Sequence, residues 1–538
     1  MNKFVSKKTL SVFLRPFRKH LLFFIVFSFL SSCCYVIGSP TRSSAIVMLM
    51  HCFCVSYFIS FCVGLIRNNL CRHIVQSLLI ALAAFDFVLN FYCVYQLHYV
   101  FDSDIALLLL ETDLNETKEF FATMLPLWML LTVVCLFLSL IALCLFLNFR
   151  NVNFNLGKRA SLVAMGLIAI FFMVNIYHWK VWKIGPIAPF YELARHNNPL
   201  DLKNYFSHPQ ITVDNNGLPI NVVVIIGESF ARTHSSVYGY DKLTNPQLMA
   251  LKNDSLLFSF DSISSPASST SLSIRDMLST YNISGNKDNK KWYEYTTLIE
   301  IMKECGYDSY WFGNQARANR HNVTSRLYAQ ACDHQWFLQR EGLDDVGDHM
   351  YDIVLVDSSY KYVNQLRNIN HHLIIYHMMG SHFDYSKRYP REYAKFSEND
   401  YPTDPKSHRK ILSSYDNSIL YNDYIVKRII DLFKDSESIV IYLPDHGQVM
   451  YRNSKDPDFY AHGRKKDPID YALGVEIPFF VYTSPLFQKK HPMTIKRINY
   501  RQDNPKRWNS ENLPYLIMDL IGIKEINGES VSDKSILY

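Results

Sequence analysis

The amino-acid sequence predicts a protein of two parts, five transmembrane helices followed by an α/β domain with a mostly parallel sheet. Long apolar runs dominate the 538-residue chain up to about residue 182, and the later composition is that of a soluble globular protein. After residue 216, short apolar runs alternate with segments of helical periodicity, as in parallel sheets covered by helices. We therefore divide the chain into a transmembrane domain (1–182), an interfacial linker (183–215) and a large C-terminal domain (216–538).

Five apolar stretches are long enough to cross a bilayer, which takes roughly 20 residues. They lie near 20–38, 44–66, 74–98, 121–149 and 160–182. Basic residues are concentrated in the N-terminal tail and in the second and fourth loops, whereas the loop 100–119 holds six acids. Because basic residues favour the cytoplasmic side, we expect the N-terminus in the cytoplasm and the C-terminal domain across the membrane.

The motif "LSSC" at 30–33 offers an alternative, because it resembles a lipoprotein cleavage box ending at Cys33. Four further spans follow it, and removal of the first would break the charge pattern.

Nine of the eleven cysteines lie in the first 144 residues, where they serve as small apolar residues. Cys305 and Cys332 each precede a predicted strand, so they could form one disulfide in an exported domain. Two free buried thiols are an equally open interpretation.

The C-terminal domain is read from its apolar runs in chain order. Continuous apolar runs indicate buried strands, and apolar spacing of three or four residues indicates helices. One run, "VEIPFFVYTS", is placed nearer an edge of the sheet because Pro478 cannot donate to a ladder. The predicted strands are 221–229, 307–314, 372–382, 438–447 and 475–484, and the predicted helices include 296–306 and 421–435.

Polar side chains follow four of these strands, which is where parallel sheets bind ligands. They are Glu228, Asn314, His382 and the pair Asp445-His446. Zinc takes imidazole nitrogen and carboxylate oxygen, so Glu228, Asp445 and His446 could supply three ligands of a zinc site. The alternative for "PDHG" is an ordinary polar turn.

A run of hydroxyl residues, "SSPASSTSLSIRDMLS" (264–279), precedes a helical pattern. A hydroxyl at a helix N-terminus would meet free N–H groups that favour phosphate, and a bound metal would activate it as a nucleophile. The residues alone do not choose among Ser268, Ser269, Thr270 and Ser271, and a simple helix cap is the competing interpretation. His382 and His462 could bind a second metal, contact phosphate or act as general acid, or be ordinary loop residues.

Together these stretches resemble the phosphoethanolamine transferases, inner-membrane enzymes of Gram-negative bacteria with an alkaline-phosphatase/sulfatase-like periplasmic domain. The resemblance runs over nearly the whole chain, including "VVVIIGESFARTHSSVYGYDKLTNPQL", "SSTSLSIRDMLS", "YHMMGSHFDYSKRYP", "PDHGQ" and "YAHG". It implies that Thr270 is the nucleophile and a zinc ligand beside Glu228, Asp445 and His446. Catalytic roles are expected at His382 and His462, and substrate contacts at Asn314, Thr112, Glu116 and Gln448.

The chain departs from the family pattern at three positions. Gln448 stands where the family has Glu after Asp-His-Gly, and Ala267 and Asp276 replace a Gly and a Cys of the nucleophile segment. The chain also has too few cysteines to match the disulfide-rich members. These differences leave the acceptor open more than the reaction.

The resemblance implies transfer of phosphoethanolamine from phosphatidylethanolamine to an envelope acceptor, first of all lipid A or lipopolysaccharide core, on one or two zinc ions. The expected partners are membrane lipids and a lipid or glycolipid acceptor, with the chain a monomer in the bacterial inner membrane and its catalytic domain periplasmic. The chain has no stripe of basic residues interleaved with aromatic residues of the kind that indicates nucleic-acid binding. The alternatives are a phosphoglycerol transferase, a phosphatase or sulfatase-type hydrolase, and a membrane sensor or scaffold without catalysis.

Overall fold

A computed structural model of the chain describes most of its residues, in two compact units. One unit is built from residues before 199 and the other from Pro199–Tyr538. The residues described are 11–37, 42–94, 101, 139, 156–177, 202–213, 219–281, 292–315, 323–338, 350–366, 371–452, 454, 457–461 and 467–538.

The described part of the N-terminal unit is helical. Two of its segments, Met48–Leu65 and Asn69–Tyr92, are long and apolar enough to cross a membrane, and Leu21–Cys34 is a shorter apolar segment. The predicted span 121–149 lies outside the described residues except for Ser139, so the number five stays a prediction. The helices are α1 Arg15–Arg18, α2 Leu21–Ile37, α3 Arg42–Leu65, α4 Asn69–Tyr92 and α5 Lys158–Tyr177.

Helix α4 begins five residues before the predicted span 74–98. Asn68 ends the preceding loop, and its side chain accepts a hydrogen bond from the Cys71 N–H at 3.2 Å. This cap starts the helix in the polar segment ahead of the apolar run. Large apolar side chains such as Phe58 and Leu78 are exposed along α3 and α4, as expected for helices in lipid.

The C-terminal unit is an α/β domain in which short strands alternate with helices. The strands are β1 Ile211–Val213, β2 Asn221–Gly227, β3 Leu257–Ser259, β4 Ile263–Ser264, β5 Asp308–Gly313, β6 His334–Phe337, β7 His372–His377, β8 Ser438–Pro444, β9 Val449–Met450, β10 Tyr460–Ala461, β11 Phe480–Thr483, β12 Trp508–Asn509, β13 Ile523–Ile526 and β14 Glu529–Ser530. The helices are α6 Pro246–Asn253, α7 Thr270–Met277, α8 Leu298–Glu304, α9 Val323–Ala331, α10 Asp352–Leu366, α11 Lys406–Phe433, α12 Pro468–Val475, α13 Pro485–Lys490, α14 Pro492–Asp503 and α15 Leu513–Leu520.

Seven strands form the central sheet in the order β3-β11-β8-β2-β7-β5-β6. β2 pairs in parallel with β7 and β8, and β5 pairs in parallel with β7 and β6. β11 runs antiparallel to both of its neighbours, β8 and β3. The prediction of a mostly parallel sheet is therefore confirmed, and the strand that follows Pro478 lies second from the edge.

The central strand β2 explains why its sequence is continuously apolar. Val222, Val224 and Ile226 belong to the core on one face of the sheet, and Val223 and Ile225 belong to the core on the other. Helices cover both faces, so neither set of side chains meets water. The predicted helix 421–435 is the second half of α11, which begins at Lys406 after Pro405.

The end of the predicted linker pairs with the C-terminal domain, since β1 is antiparallel to β13 with Ile211 opposite Ile526. Of the two open interpretations of Cys305 and Cys332, the structure has the free thiols. β5 and β6 are neighbouring parallel strands as expected, but Tyr310 lies opposite His334. Neither cysteine lies in the paired strands, which begin at Asp308 and His334. Burial raises the pKa of Cys332 to about 12, so its thiol stays protonated.

Candidate metal centre and nucleophile

Glu228 and Asp445 leave two adjacent strands at the same level. Gly227, the last residue of β2, lies opposite Pro444, the last residue of β8. The Asp445 N–H continues the pairing by donating to the Gly227 carbonyl at 3.0 Å. Glu228, Asp445 and His446 are all buried, and their potential ligand atoms lie within 4.8 Å of one another. A solvated polar turn does not bury three such side chains.

The His446 ring is oriented by its own backbone. Nδ1 lies 2.7 Å from the Gly447 carbonyl oxygen, so this nitrogen carries the hydrogen and donates. Nε2 is directed at the two carboxylates, 3.4 Å from Glu228 Oε1 and 3.5 Å from Asp445 Oδ2. A backbone acceptor on one ring nitrogen is the usual way in which a metal-binding histidine is fixed.

The pKa shifts of the three groups reflect an excess of buried carboxylates over imidazole, two acids to one histidine. Burial alone would raise the pKa of Glu228, but hydrogen bonding to His446 and its charge hold that pKa well below its usual range. Burial, with the charge of Glu228, raises the pKa of Asp445 to about 7. Burial would lower the pKa of His446, but the carboxylates outweigh it and raise that pKa to about 9. A divalent cation would neutralise this excess.

The donor set fits zinc, which favours imidazole nitrogen and carboxylate oxygen. Asp445 Oδ1 accepts hydrogen bonds from the Ser229 N–H at 3.1 Å and the His446 N–H at 2.7 Å. Oδ2 of Asp445 is buried without a hydrogen-bond donor in the part of the chain that the structure describes. That oxygen is therefore the one left for a metal ion.

Thr270 brings a hydroxyl to the same cluster from the first position of α7. Its Oγ1 donates to Glu228 Oε2 at 3.3 Å. The preceding residue, Ser269, is at the cap position, but its side chain makes no cap hydrogen bond. Ser273 Oγ donates to the Ala267 carbonyl at 2.9 Å. The helix-cap interpretation thus gains no support, and Thr270 is in contact with a carboxylate of the cluster.

A tight turn after β7 supports the backbone of Glu228. Gly380 has φ of +49°, and a Cβ there would lie 2.8 Å from the Glu228 nitrogen. The carboxylate of Asp352 accepts the N–H groups of Met379 and Gly380, each at 2.9 Å. Asn314 in turn donates its side-chain amide to Asp352 at 2.7 Å. The structure gives Asn314 this supporting contact, and its predicted contact with substrate stays a prediction.

Two residues that the sequence analysis missed also contact this region. Gln315 Nε2 donates to Glu228 Oε2 at 3.2 Å. It is one residue beyond Asn314, so the rule about strand ends could have found it. Tyr415 on α11 donates its hydroxyl to the Ser229 carbonyl at 2.7 Å and accepts the Ala231 N–H at 2.8 Å. No local sequence signal indicates this contact, which joins segments 186 residues apart.

The other predicted site residues have different outcomes. His382 is half-buried, with Nδ1 at 2.7 Å from the Phe383 carbonyl, and its charge is among those that lower the pKa of Glu228. Gln448 is 5% exposed and donates to the Tyr385 hydroxyl at 2.7 Å. Three further predicted residues, Thr112, Glu116 and His462, lie outside the described residues.

Curated proteins similar to this chain are phosphoethanolamine transferases. EptC of Escherichia coli K12 is 28% identical over 312 residues, 57% of this chain and 51% of EptC. CptA of Salmonella typhimurium is 26% identical over 366 residues, 65% of this chain and 58% of CptA. The Kdo(2)-lipid A phosphoethanolamine 7''-transferase of E. coli K12 is 29% identical over 242 residues, 42% and 39% of the two chains. The chain thus spans about half the length of the first two relatives.

Solved structures and a family model agree with this. The C-terminal periplasmic domain of E. coli EptC, in complex with Zn, matches with TM-score 0.53 and 26% identity over 61% of this chain and 89% of that chain. EptA of Neisseria meningitidis shares the fold, with TM-score 0.63 and 18% identity over 96% and 98% of the two chains. The family model described as Sulfatase matches residues 220–523. The chain therefore belongs to the sulfatase family, and it is similar to EptC, CptA and the Kdo(2)-lipid A enzyme, which are phosphoethanolamine transferases.

Proposed function

We propose that this chain transfers phosphoethanolamine from phosphatidylethanolamine to a glycolipid of the bacterial envelope, with Thr270 as the nucleophile. The contact of Thr270 Oγ1 with Glu228, at the edge of a buried cluster with a zinc-type donor set, is the observation that carries the proposal. The names of the relatives supply the transferred group, and the zinc complex of E. coli EptC supports the choice of metal.

The chemistry of the proposal needs a hydroxyl that is easily deprotonated. A zinc ion held by Glu228, Asp445, His446 and Thr270 would lower the pKa of the threonine hydroxyl and offset phosphoryl charge. Glu228 orients the hydroxyl by accepting its hydrogen bond. Thr270 also lies at the first position of α7, where backbone N–H groups favour an anionic phosphate.

Two displacements at phosphorus complete the transfer. In the first, the Thr270 hydroxyl gives its proton to Glu228, a bond forms between Oγ1 and phosphorus, and the bond from phosphorus to the diacylglycerol oxygen breaks. The leaving oxygen takes a proton, for which His382 and His462 are the candidates. In the second, an oxygen of the acceptor bonds to phosphorus and gives its proton to the histidine that protonated the diacylglycerol, while Oγ1 leaves and takes back its proton from Glu228, which restores the free threonine. One zinc ion suffices for this scheme, and a second zinc ion would be bound by His382 and His462.

The proposed membrane domain would keep both lipid substrates near the catalytic site. We propose five spans, a cytoplasmic N-terminus, a periplasmic catalytic domain and a monomeric chain. The two long apolar helices and the fold shared with the integral membrane protein EptA support this arrangement. The acceptor we propose is lipid A or lipopolysaccharide core, supported by the name of the Kdo(2)-lipid A transferase. Thr112 and Glu116 would face the lipid substrate.

The experiment uses the full chain in detergent with zinc, phosphatidylethanolamine labelled in the ethanolamine, and Kdo(2)-lipid A. The expected products are labelled lipid A and diacylglycerol, both detected by mass spectrometry. Thr270→Ala should yield neither, whereas Ser269→Ala should behave as the unmodified chain. Transfer from phosphatidylglycerol instead, or release of free phosphoethanolamine to water at the same rate without acceptor, would replace the proposal with phosphoglycerol transfer or hydrolysis.

A further inference from the structure

Ser229, the residue after Glu228, has a strained backbone beside the metal cluster. Its φ is +52°, in the left-handed region that a residue with a side chain rarely adopts. Glycine would adopt this φ without a steric penalty, because it has no Cβ. The serine side chain therefore destabilises the turn, unless it makes a contact that glycine cannot make.

The contact that glycine cannot make is a hydrogen bond to the Glu228 carboxylate. Ser229 Oγ donates to Glu228 Oε1 at 2.7 Å, and the serine is buried, so bulk water does not compete for this oxygen. The other oxygen, Oε2, accepts the Thr270 hydroxyl at 3.3 Å and the Gln315 amide at 3.2 Å. The oxygen held by Ser229 is therefore not the oxygen that meets the nucleophile.

The backbone of Ser229 holds the second carboxylate of the cluster. Its N–H donates to Asp445 Oδ1 at 3.1 Å, and its carbonyl accepts the Tyr415 hydroxyl at 2.7 Å. The N–H, the hydroxyl and the carbonyl of this one residue are all hydrogen-bonded. The left-handed turn thus directs one donor of Ser229 to each carboxylate, the N–H to Asp445 and the hydroxyl to Glu228.

We propose that Ser229 is a positioning residue of the metal centre, whose hydroxyl fixes the plane of the Glu228 carboxylate and keeps Oε2 facing Thr270. Rotation of a glutamate carboxylate about its last bond has a broad energy profile, so the main chain alone does not fix this plane. Hydrogen bonds to ionised acceptors are roughly twice as strong as neutral ones. The inference rests on the metal site of the proposed function and adds to it the group that orients one ligand.

The competing explanation is that Ser229 serves only the turn. In that case glycine, which fits the left-handed region better, would bind zinc at least as well as serine does. If the hydroxyl positions Glu228, glycine would instead weaken zinc binding while it relieves the backbone. Zinc affinity and stability therefore change in opposite directions only if the hydroxyl has the proposed role.

The test measures zinc affinity of the full chain in detergent by competition with a chromogenic chelator, and stability of the metal-free chain by denaturant unfolding. Ser229→Ala and Ser229→Gly both lack the hydroxyl, and both should bind zinc about 10–100-fold more weakly, the usual loss for an outer-shell partner. Ser229→Gly should unfold at a higher denaturant concentration than Ser229→Ala. Ser229→Thr keeps the hydroxyl on a β-branched side chain, so it should be less stable and yet retain most of the zinc affinity.

Ser255→Gly is the matched control, since Ser255 is another serine in the left-handed region, with φ of +58°. It is exposed in the turn after α6, where its N–H donates to the Lys252 carbonyl. Its replacement should change neither zinc affinity nor transfer.

A second arm measures transfer from phosphatidylethanolamine at saturating zinc. Because the buried hydroxyl orients Glu228 and does not bind substrate, Ser229→Gly should lower kcat by about tenfold and leave KM unchanged. This loss remains when the metal site is filled, so it reports on the orientation of Glu228 toward Thr270 and not on zinc content.

Two results would overturn the positioning role: the same zinc affinity in Ser229→Gly as in the unmodified chain, or a folded Ser229→Thr that binds zinc as weakly as Ser229→Ala. If the alanine or threonine variant does not fold, Ser229→Gly decides the question alone. A chain whose zinc affinity depends on the Ser229 hydroxyl but that transfers nothing keeps the positioning role and loses the transferase. A chain that transfers phosphoethanolamine equally well after Ser229→Gly keeps the transferase and loses the positioning role.

Discussion

Asp416 on α11 and Asp445 after β8 are both fully buried beside a histidine. Asp416 Oδ1 lies 2.7 Å from His234 Nδ1, and its Oδ2 accepts the hydroxyls of Tyr240 at 2.7 Å and Tyr401 at 2.5 Å. Both of its oxygens are thus supplied with hydrogen-bond donors from the protein. Such an acid contributes to the fold and has no need of a cation.

Asp445 has the opposite surroundings. Oδ1 is held by two backbone N–H groups, but Oδ2 has no donor among the described residues and faces the histidine that Glu228 also faces. Two carboxylates therefore share one imidazole. The comparison shows that burial of an acid and a histidine together does not identify a metal centre, and that Asp445 differs from Asp416 in sharing its histidine with a second carboxylate. Substitutions in the two clusters, and at the hydroxyl that the metal would activate, test this difference.

Thr270→Ala should reduce transfer by about 10³-fold or more, because it removes the group that bonds to phosphorus. Thr270→Ser should keep measurable activity. The measurement is single-turnover transfer from labelled phosphatidylethanolamine, with circular dichroism to confirm the fold. Unchanged transfer by the alanine variant would contradict the assignment of the nucleophile.

Asp445→Asn should weaken zinc binding by at least about 100-fold, since replacement of even an outer-shell partner costs about 10–100-fold. In the metal-free protein the same substitution should change the free energy of unfolding by less than about 1 kcal/mol, because it removes one of two competing carboxylates. Elemental analysis and denaturant titration in a chelator measure the two effects. A metal-free variant that is strongly destabilised would place Asp445 in the same class as Asp416.

Asp416→Asn should lower the free energy of unfolding by about 3 kcal/mol, because two buried donors, His234 and Tyr401, and the half-buried Tyr240 lose their acceptor. Zinc content should not change. Denaturant unfolding of the metal-free Asp416→Asn and Asp445→Asn variants gives a direct comparison of the stability contributed by the two clusters. Loss of zinc in a folded Asp416→Asn protein would contradict the division between them.

A third buried acid, Asp423 on α11, sharpens the comparison through pH. It accepts only the backbone N–H groups of Gln247 at 2.9 Å and Leu248 at 3.0 Å among its described hydrogen bonds, and burial raises its pKa to about 7. An acid with a raised folded pKa costs stability once it ionises. The free energy of unfolding should therefore fall between about pH 4 and pH 7, by about 1.4 kcal/mol per unit of pKa shift at most. Asp423→Asn should flatten this part of the pH profile, and an unchanged slope would show that Asp423 does not cause it.

Three of the candidate ligands could be predicted from the sequence because they follow strands. Parallel strands end at one edge of a sheet, and that rule alone brings Glu228 to Asp445 and His446. The choice of Thr270 over its neighbouring serines needed the resemblance, since all four hydroxyls share the same local pattern. Its contact with Glu228 depends on how α7 packs on the sheet, which no local pattern describes.

Other features depend on distant segments and were missed for that reason. Tyr415 contacts Ser229 because α11 packs on the face of the sheet. The position of Tyr415 in the sequence pattern predicts only that its side chain is buried. The sequence left Cys305 and Cys332 open between a disulfide and free thiols, because neighbouring strands do not fix register, and the structure has free thiols. Gln448 was identified from the sequence as a departure from the family, and the structure adds that its amide is committed to Tyr385.

The pairing of β2 with β8 has a consequence for the order in which the proposed enzyme becomes active. Glu228 and Thr270 lie in the first part of the C-terminal domain, whereas Asp445 and His446 arrive on a strand more than 200 residues after β2. If the chain crosses the membrane with its N-terminal residues first, Thr270 therefore emerges long before Asp445 and His446. The proposed metal ion can be held only after β8 has paired with β2, so until then the threonine would be an ordinary alcohol.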